Sequence, residues 1–314
     1  MIDYDIVFAS DTHIDINNNP NDQIDAFNQI AELTKKAKLL ILGGDILDKR
    51  RPHPKELNIF RDFVKSVSCD IICIIGNHDK NLDASTLDEF IKFNIKGISV
   101  HEPPYTFEYN NRKIYLDHIL VENSKMGEED FTLSKRKTVS IDSLLKLNCD
   151  FYLIGDVHKG QVLHENPLIC YPGSIYRTDF GERNEDKFVV LINSTTTEYK
   201  YHKLNSRPMI QFDLVYPFDF SSIRDIENAQ VKVSLEGTKE EVKSVDETSL
   251  KNLLKQAYSF SICYNVKKEK KIRNKNLTEN ITDKDCFLKY AQAKNFTAQE
   301  QEEGLKIINT IKEP

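Results

Sequence analysis

No apolar run in this 314-residue chain approaches the roughly 20 residues that a helix needs to cross a bilayer. The opening MIDYDIVFAS is acidic where a signal peptide would be basic. A cytoplasmic location with no membrane association is therefore expected. The six cysteines (Cys69, Cys73, Cys149, Cys170, Cys263 and Cys286) include no CxxC pair, so buried free thiols are expected; Cys69 and Cys73 would share one strand face. Internal repeats and low-complexity stretches are missing too. Positive charge is not in excess: 43 Lys and Arg stand against 49 Asp and Glu, a net charge of −6. That argues against a stand-alone, non-specific nucleic-acid coat, which binds by neutralising phosphates. It does not argue against an enzyme whose bound metals meet the phosphate.

What is present fits a folded, water-soluble protein, with 39% hydrophobic and 29% charged residues. The length favours one large domain and a smaller one. Apolar runs DIVFAS (5–10), LLILGG (39–44) and DIICIIG (70–76) read as strands. Between them, Ile24, Phe27, Ile30, Ala31 and Leu33, then Leu57, Phe60, Val64 and Val67, form helical stripes. Strand, helix, strand, helix, strand predicts an α/β sheet. KIYLD (113–117), FYLIG (151–155), KFVVLI and TEYKYHKL add strands before a break at Asn205-Ser206-Arg207-Pro208. A small α+β unit follows: strands IQFDLVY, AQVKVSLEG and SFSICYNV around a helix-like TSLKNLLKQAY. Beyond a basic stretch (266–276), Thr282 with Asp285 and Thr297 with Glu300 mark two helix starts by capping boxes. The expected division is residues 1–206, 207–268 and 269–314.

Each early strand ends in polar residues: Asp11 and His13, Asp45, Asn77 and His78, His118, Asp156 and His158. Ligands of open α/β sheets bind beyond the carboxyl ends of the strands, so these side chains should converge. Three carboxylates, one amide oxygen and up to four imidazoles suit two divalent metals with mixed oxygen and nitrogen ligands. Asn77 would be a ligand, and His78 would stand beside the metals without binding them.

The ordered set Asp11-Thr12-His13, Gly44-Asp45-Ile46-Leu47-Asp48, Gly76-Asn77-His78-Asp79, His118 and Gly155-Asp156-Val157-His158 resembles the calcineurin-like metallophosphoesterase superfamily. The resemblance implies a two-sheet sandwich flanked by helices, with one metal on Asp11, His13 and His158. The other would take Asn77, His118 and Asp156, with Asp45 bridging. Where this chain has Asp156 the family usually has His. A carboxylate there either ligates directly, favouring a hard cation such as Mn²⁺ or Mg²⁺, or orients a neighbouring ligand. Two-metal chemistry implies in-line attack of water on phosphorus. The resemblance makes His78 the proton donor to the leaving group, with Asp79 holding its ring.

Within the superfamily, GGDILDKRRPHP (43–54) and YPGSIYRTDFGE (171–182) are similar to elements of SbcD-type nucleases, the bacterial counterparts of the meiotic-recombination nuclease. This implies a Mn²⁺-dependent double-strand exonuclease and single-strand endonuclease that processes DNA breaks. It also implies a capping unit that positions DNA, a homodimer, and docking of an SbcC-type SMC-like ATPase on the C-terminal helices. The Leu305, Ile308 and Ile311 stripe would serve that docking, or pack on its own domain. Lys49, Arg50, Arg51 and Arg177 would contact phosphates or form solvated charge. Two alternatives stand beside the nuclease: a phosphatase or cyclic-nucleotide phosphodiesterase, and a binding scaffold that has lost its chemistry.

Overall fold

Strands β1 (Ile6–Ala9) and β2 (Leu39–Leu42) are buried along their whole length, the burial that uninterrupted apolar runs require. The computed structural model of the chain describes residues 3–80, 97–126, 138–267 and 282–311. In it, β1, β2, β3 (Asp70–Ile74) and β4 (Ile98–His101) run parallel. Antiparallel β10 (Lys187–Ile192) and β11 (Tyr199–Leu204) complete a six-stranded sheet in the order β11-β10-β1-β2-β3-β4. A second sheet, ordered β5-β6-β7-β9-β8, is built from β5 (Tyr105–Tyr109), β6 (Arg112–His118), β7 (Phe151–Gly155), β8 (Gln161–His164) and β9 (Leu168–Tyr171). This is the two-sheet sandwich that the motif order implies.

Alternate residues of the same strands supply two separate cores, because strand side chains point to opposite faces. Val7, Ala9, Leu40, Leu42, Ile71 and Cys73 pack beneath helices α1 (Pro20–Thr34) and α2 (Pro54–Ser66), against Phe27, Ile30, Phe60 and Phe63. Ile6, Phe8, Leu39 and Ile41 face the other way and join Ile114, Leu116, Phe151 and Leu153 of the second sheet. A short helix α3 (Ile141–Leu145) contributes Leu144 to a third cluster with Tyr152, Ile154 and Tyr171. The α1 stripe is narrower than its periodicity predicts: Phe27 and Ile30 are buried, whereas Ile24 is 39% exposed.

Helix ends follow their side-chain chemistry. Glu56 reaches back to the His53 amide while the His53 ring accepts from Lys55, closing the start of α2. Strands β12 (Met209–Val215), β13 (Gln230–Gly237) and β14 (Ser259–Val266) form a third, three-stranded sheet. Helices α4 (Lys239–Lys243) and α5 (Glu247–Leu254) lie between β13 and β14 in sequence. Helices α6 (Asp283–Ala293) and α7 (Ala298–Ile311) begin at the expected capping boxes, Thr282 with Asp285 and Thr297 with Glu300. Gly304 lets these two helices close on each other, since a Cβ there would collide with the Phe287 ring.

The chain forms two compact units, residues 1–235 with 246–263 and residues 236–245 with 264–314. The basic stretch from residue 268 onward and the Ile311 side chain lie outside the described residues. No helix of the described residues is long and apolar enough to cross a membrane.

Phe8 sits fully buried between the two large sheets. Phe8→Ala should lower the unfolding free energy by about 3–5 kcal/mol, read as a lower denaturant midpoint with unchanged slope; a loss below about 1 kcal/mol would show that this layer is not the shared core.

Candidate metal centre

The polar residues that follow β1, β2, β3, β6 and β7 converge at one end of the sandwich. Asp11 donates its amide to the Gly44 carbonyl (3.0 Å) and His13 donates to the Asp45 carbonyl (2.9 Å), so the loops after β1 and β2 run side by side. Asp11 (φ 51°), His13 (φ 38°), Asp45 (φ 49°) and Asp156 (φ 93°) all have left-handed backbone. Such residues cost about 1–3 kcal/mol each and persist only where the surroundings hold them. Two glycines make the approach possible. A Cβ at Gly76 would collide with the Asp45 carboxylate and amide, and one at Gly155 with the Gly43 carbonyl and the Ser10 hydroxyl.

Three groups of ligand atoms result among the described residues, each with all its atoms within 4.8 Å of one another: Asp11, His13 and His158; Asp11, Asp45 and His118; and His13, Asp48 and His78. Asp11 and Asp45 are almost fully buried. The His118 side chain is 1% exposed; its Nδ1 lies 2.8 Å from the Gly43 carbonyl, and its Nε2 lies 3.1 Å from Asp45 Oδ2 and 3.9 Å from Asp156 Oδ1. His118 Nε2 and His13 Nδ1 are buried against the carboxylates of Asp45 and Asp48. The Nε2 atoms of His13 and His158 face each other at 3.0 Å. Ring nitrogens set among carboxylates suit divalent cations, which take the place of ring protons on binding.

The charges answer one another. Burial alone would raise the Asp45 pKa, but hydrogen bonding and charge from His118, with His13 and the His78 amide, hold it down to about 2. Burial alone would lower the His118 pKa, yet Asp45 and Asp11 lift it to about 10.

Asp156 donates its amide to both Asp11 carboxylate oxygens (3.2 and 3.3 Å). Asn77 is exposed and lines the cleft rather than the buried cluster. His78 also lines the cleft, its ring 4.9 Å from that of His13 and edge-on to it. Its amide donates to Asp45 Oδ1 (2.9 Å) and its Nδ1 lies 2.7 Å from the Asp48 carbonyl. Asp79 does not hold the His78 ring, contrary to expectation. It is fully buried, and its two oxygens accept the amides of Ile46 (3.1 Å), Leu47 (2.9 Å) and Gly76 (2.8 Å). It braces the Asp45 loop against the turn after β3.

The cleft over the cluster holds about 700 Å³ and is walled by Asp48, Lys159, Thr178, Asp179, Glu182 and Arg183, among others. Arg177 is occupied elsewhere: its guanidinium donates to the carbonyls of Glu185 and Arg207. Lys49 pairs with Asp15 at 2.8 Å, while Arg50 and Arg51 are exposed. Two contributors carry no assigned role in the sequence reading. Asp48 places Oδ1 3.4 Å from His13 Nδ1, and Glu182 places Oε1 2.7 Å from His158 Nδ1. Asp48 was within reach of a spacing argument, three residues after Asp45; Glu182 follows His158 by 24 residues and no periodicity links them.

Fold and cluster together define a divalent-metal hydrolase of the α/β-sandwich type. The chain belongs to the calcineurin-like phosphoesterase family, whose model matches residues 4–190, and so to a group of metal-dependent phosphoester hydrolases. It is 26% identical over 193 residues to uncharacterized protein R555 of Acanthamoeba polyphaga mimivirus, a match covering 48% of this chain and 14% of R555. It is 24% identical over 275 residues to protein 244L of Invertebrate iridescent virus 6, a phosphoesterase by name, covering 76% of this chain and 96% of that one. A third match, 31% identical over 84 residues, is to the DNA double-strand break repair protein Mre11 of Nanoarchaeum equitans, covering 24% of this chain and 23% of that protein. The solved nuclease MPE of Pseudomonas putida aligns over 59% of this chain and 84% of its own, at 17% identity and a TM-score of 0.34. The chain thus spans a small part of the first of these relatives and nearly all of the second.

Two measurements probe the centre. Asp79→Ala should strand three buried amides and cost at least about 3 kcal/mol at about 1–3 kcal/mol each, seen as a lower thermal midpoint; a variant of normal stability would show that Asp79 does not brace the Asp45 loop. Because His118 is lifted to about 10, its ring is protonated at neutral pH and a cation must expel that proton. Calorimetric Mn²⁺ titrations in buffers of different ionisation enthalpy should therefore show proton release at pH 7, with affinity rising as pH rises. Binding without proton release would count against His118 as a ligand.

Proposed function

We propose that the chain is a two-metal DNA nuclease, with Mn²⁺ as the favoured ion, related to the SbcD-type subunit of break-processing complexes. The observation that carries the reading is the position of residues 171–182. This stretch resembles an SbcD-type element in sequence, and its Thr178, Asp179, Gly181 and Glu182 wall the cleft beside the ligand cluster. The short similarity to a DNA double-strand break repair protein points the same way.

Asp11, His13 and His158 would hold one cation, and Asp45, His118, Asp156 and Asn77 the other. Bound there, a metal pair supplies Lewis-acid neutralisation of the phosphoryl oxygens and an activated water. The chain's own residues do the rest. Asp79 and the Gly76 turn fix the Asp45 loop, and the Asp48 carbonyl accepts the His78 Nδ1 proton. His78 Nε2 would then give a proton to the leaving oxygen from a ring protonated at both nitrogens. Lys159 and Arg183 stand on the cleft wall, where the phosphate backbone of a bound strand would pass. Tyr290 and Ile307, 54% and 60% exposed on α6 and α7, offer apolar surface to an SMC-like ATPase partner, and a homodimer through the large unit belongs to the same reading.

A second reading, a phosphatase or cyclic phosphodiesterase, is favoured by the similarity to the viral phosphoesterase 244L, which covers 76% of this chain and 96% of that protein.

The deciding experiment is digestion of end-labelled linear duplex DNA with Mn²⁺, Mg²⁺ or chelator, beside a cyclic nucleotide and a simple phosphomonoester. Mn²⁺-dependent loss of DNA is expected, with His78→Gln lowering turnover more than about tenfold while leaving metal binding intact. Turnover of the small substrates without DNA loss would replace the nuclease reading with the second one.

A further inference from the structure

Beneath the cleft lies a buried charge chain that the ligand assignment does not use. Lys187 is the first residue of β10, and its side chain is 1% exposed. Its Nζ lies 2.9 Å from Glu182 Oε2 and 3.3 Å from Glu185 Oε2, and donates to the Ser174 hydroxyl (2.9 Å) and the His158 carbonyl (3.3 Å). Glu182 in turn lies 2.7 Å from His158 Nδ1 through Oε1, and accepts from the Thr178 amide (2.8 Å) and hydroxyl (2.9 Å). A buried lysine is costly unless paired, and so is a buried carboxylate; here each answers the other. Lys187 therefore grips His158 twice, by its backbone carbonyl and, through Glu182, by its ring.

The geometry points to Glu182 as a positioning residue for the metal centre, acting on His158 with Lys187 behind it. This inference rests on the two-metal reading and deepens it. An ionised Glu182 can only accept, so His158 must place its proton on Nδ1. The lone pair is then left on Nε2, the atom that faces His13 Nε2 at 3.0 Å and would hold the cation. Carboxylate partners of this kind fix the tautomer and ring orientation of metal-binding histidines, and removing one weakens metal affinity by about 10–100-fold.

A glutamate that merely closes the turn at Phe180–Glu182 would leave the ring of His158 untouched, so the test reads the ring. In the full chain loaded with Mg²⁺, ¹⁵N NMR should show His158 protonated at Nδ1 and bare at Nε2. The proton on Nε2 would overturn the proposal, and this reading needs no variant. Glu182→Gln, checked for folding by its thermal midpoint, should weaken one of two Mn²⁺ binding events by about 10–100-fold in calorimetry and spare the other. Both events unchanged, or both equally weakened, would overturn it. A wild-type chain that takes up no cation would sink the metal reading itself, and this inference with it. A wild-type chain that binds two cations but is indifferent to Glu182→Gln would sink only the positioning role.

Discussion

Two carboxylates, Asp11 and Asp45, are held almost out of reach of water with ligand atoms within 4.8 Å of each other. At an effective dielectric of about 20, two unit negative charges at that distance repel by about 3.5 kcal/mol. Desolvation adds to that, and a whole domain is stable by only about 5–15 kcal/mol. Positive charge must therefore sit between them, supplied by protons on His118 in the bare chain and by cations in the working one. The buried Nε2 of His118 beside Asp45 and the facing Nε2 atoms of His13 and His158 are the other side of the same requirement.

The rest of the molecule holds that charge density in place. Parallel strands β1, β2 and β3 point their carboxyl ends the same way, and the cores on both faces lock their register. Left-handed backbone at Asp11, His13, Asp45 and Asp156 turns each side chain inward as its loop begins. Asp79 ties the second of those loops to the third strand's turn through three amides. Strain at the ligands is thus balanced by hydrogen bonds one layer out.

A similar layering explains why the cleft wall matters to the centre. Thr178, Asp179 and Glu182 line the cleft, and Glu182 also reaches His158. Whatever polymer or small ester occupies the cleft lies against the same segment that orients a metal ligand.

Much of this was legible in the residues alone. Apolar runs ending in Asp, His or Asn marked the strands and the place where they meet, because a buried strand has no other reason to end in such groups together. Capping boxes marked α6 and α7, since the cap and its partner are three residues apart. Short edge strands β4, β5 and β8 escaped notice: half-exposed and four or five residues long, they have too little periodicity to register. The partners of buried polar atoms were decided only by the tertiary structure. Asp79 next to His78 in sequence suggested a pair, but the fold turned it toward the Asp45 loop. Lys187 looked like the polar start of an apolar strand. Antiparallel pairing of β10 with β1, Phe8 opposite Val190, brings it to the end of β1 from which Asp11 follows. Periodicity records which side chains are buried; which atom each buried charge meets is set by strand register and loop path, and neither is written in local spacing.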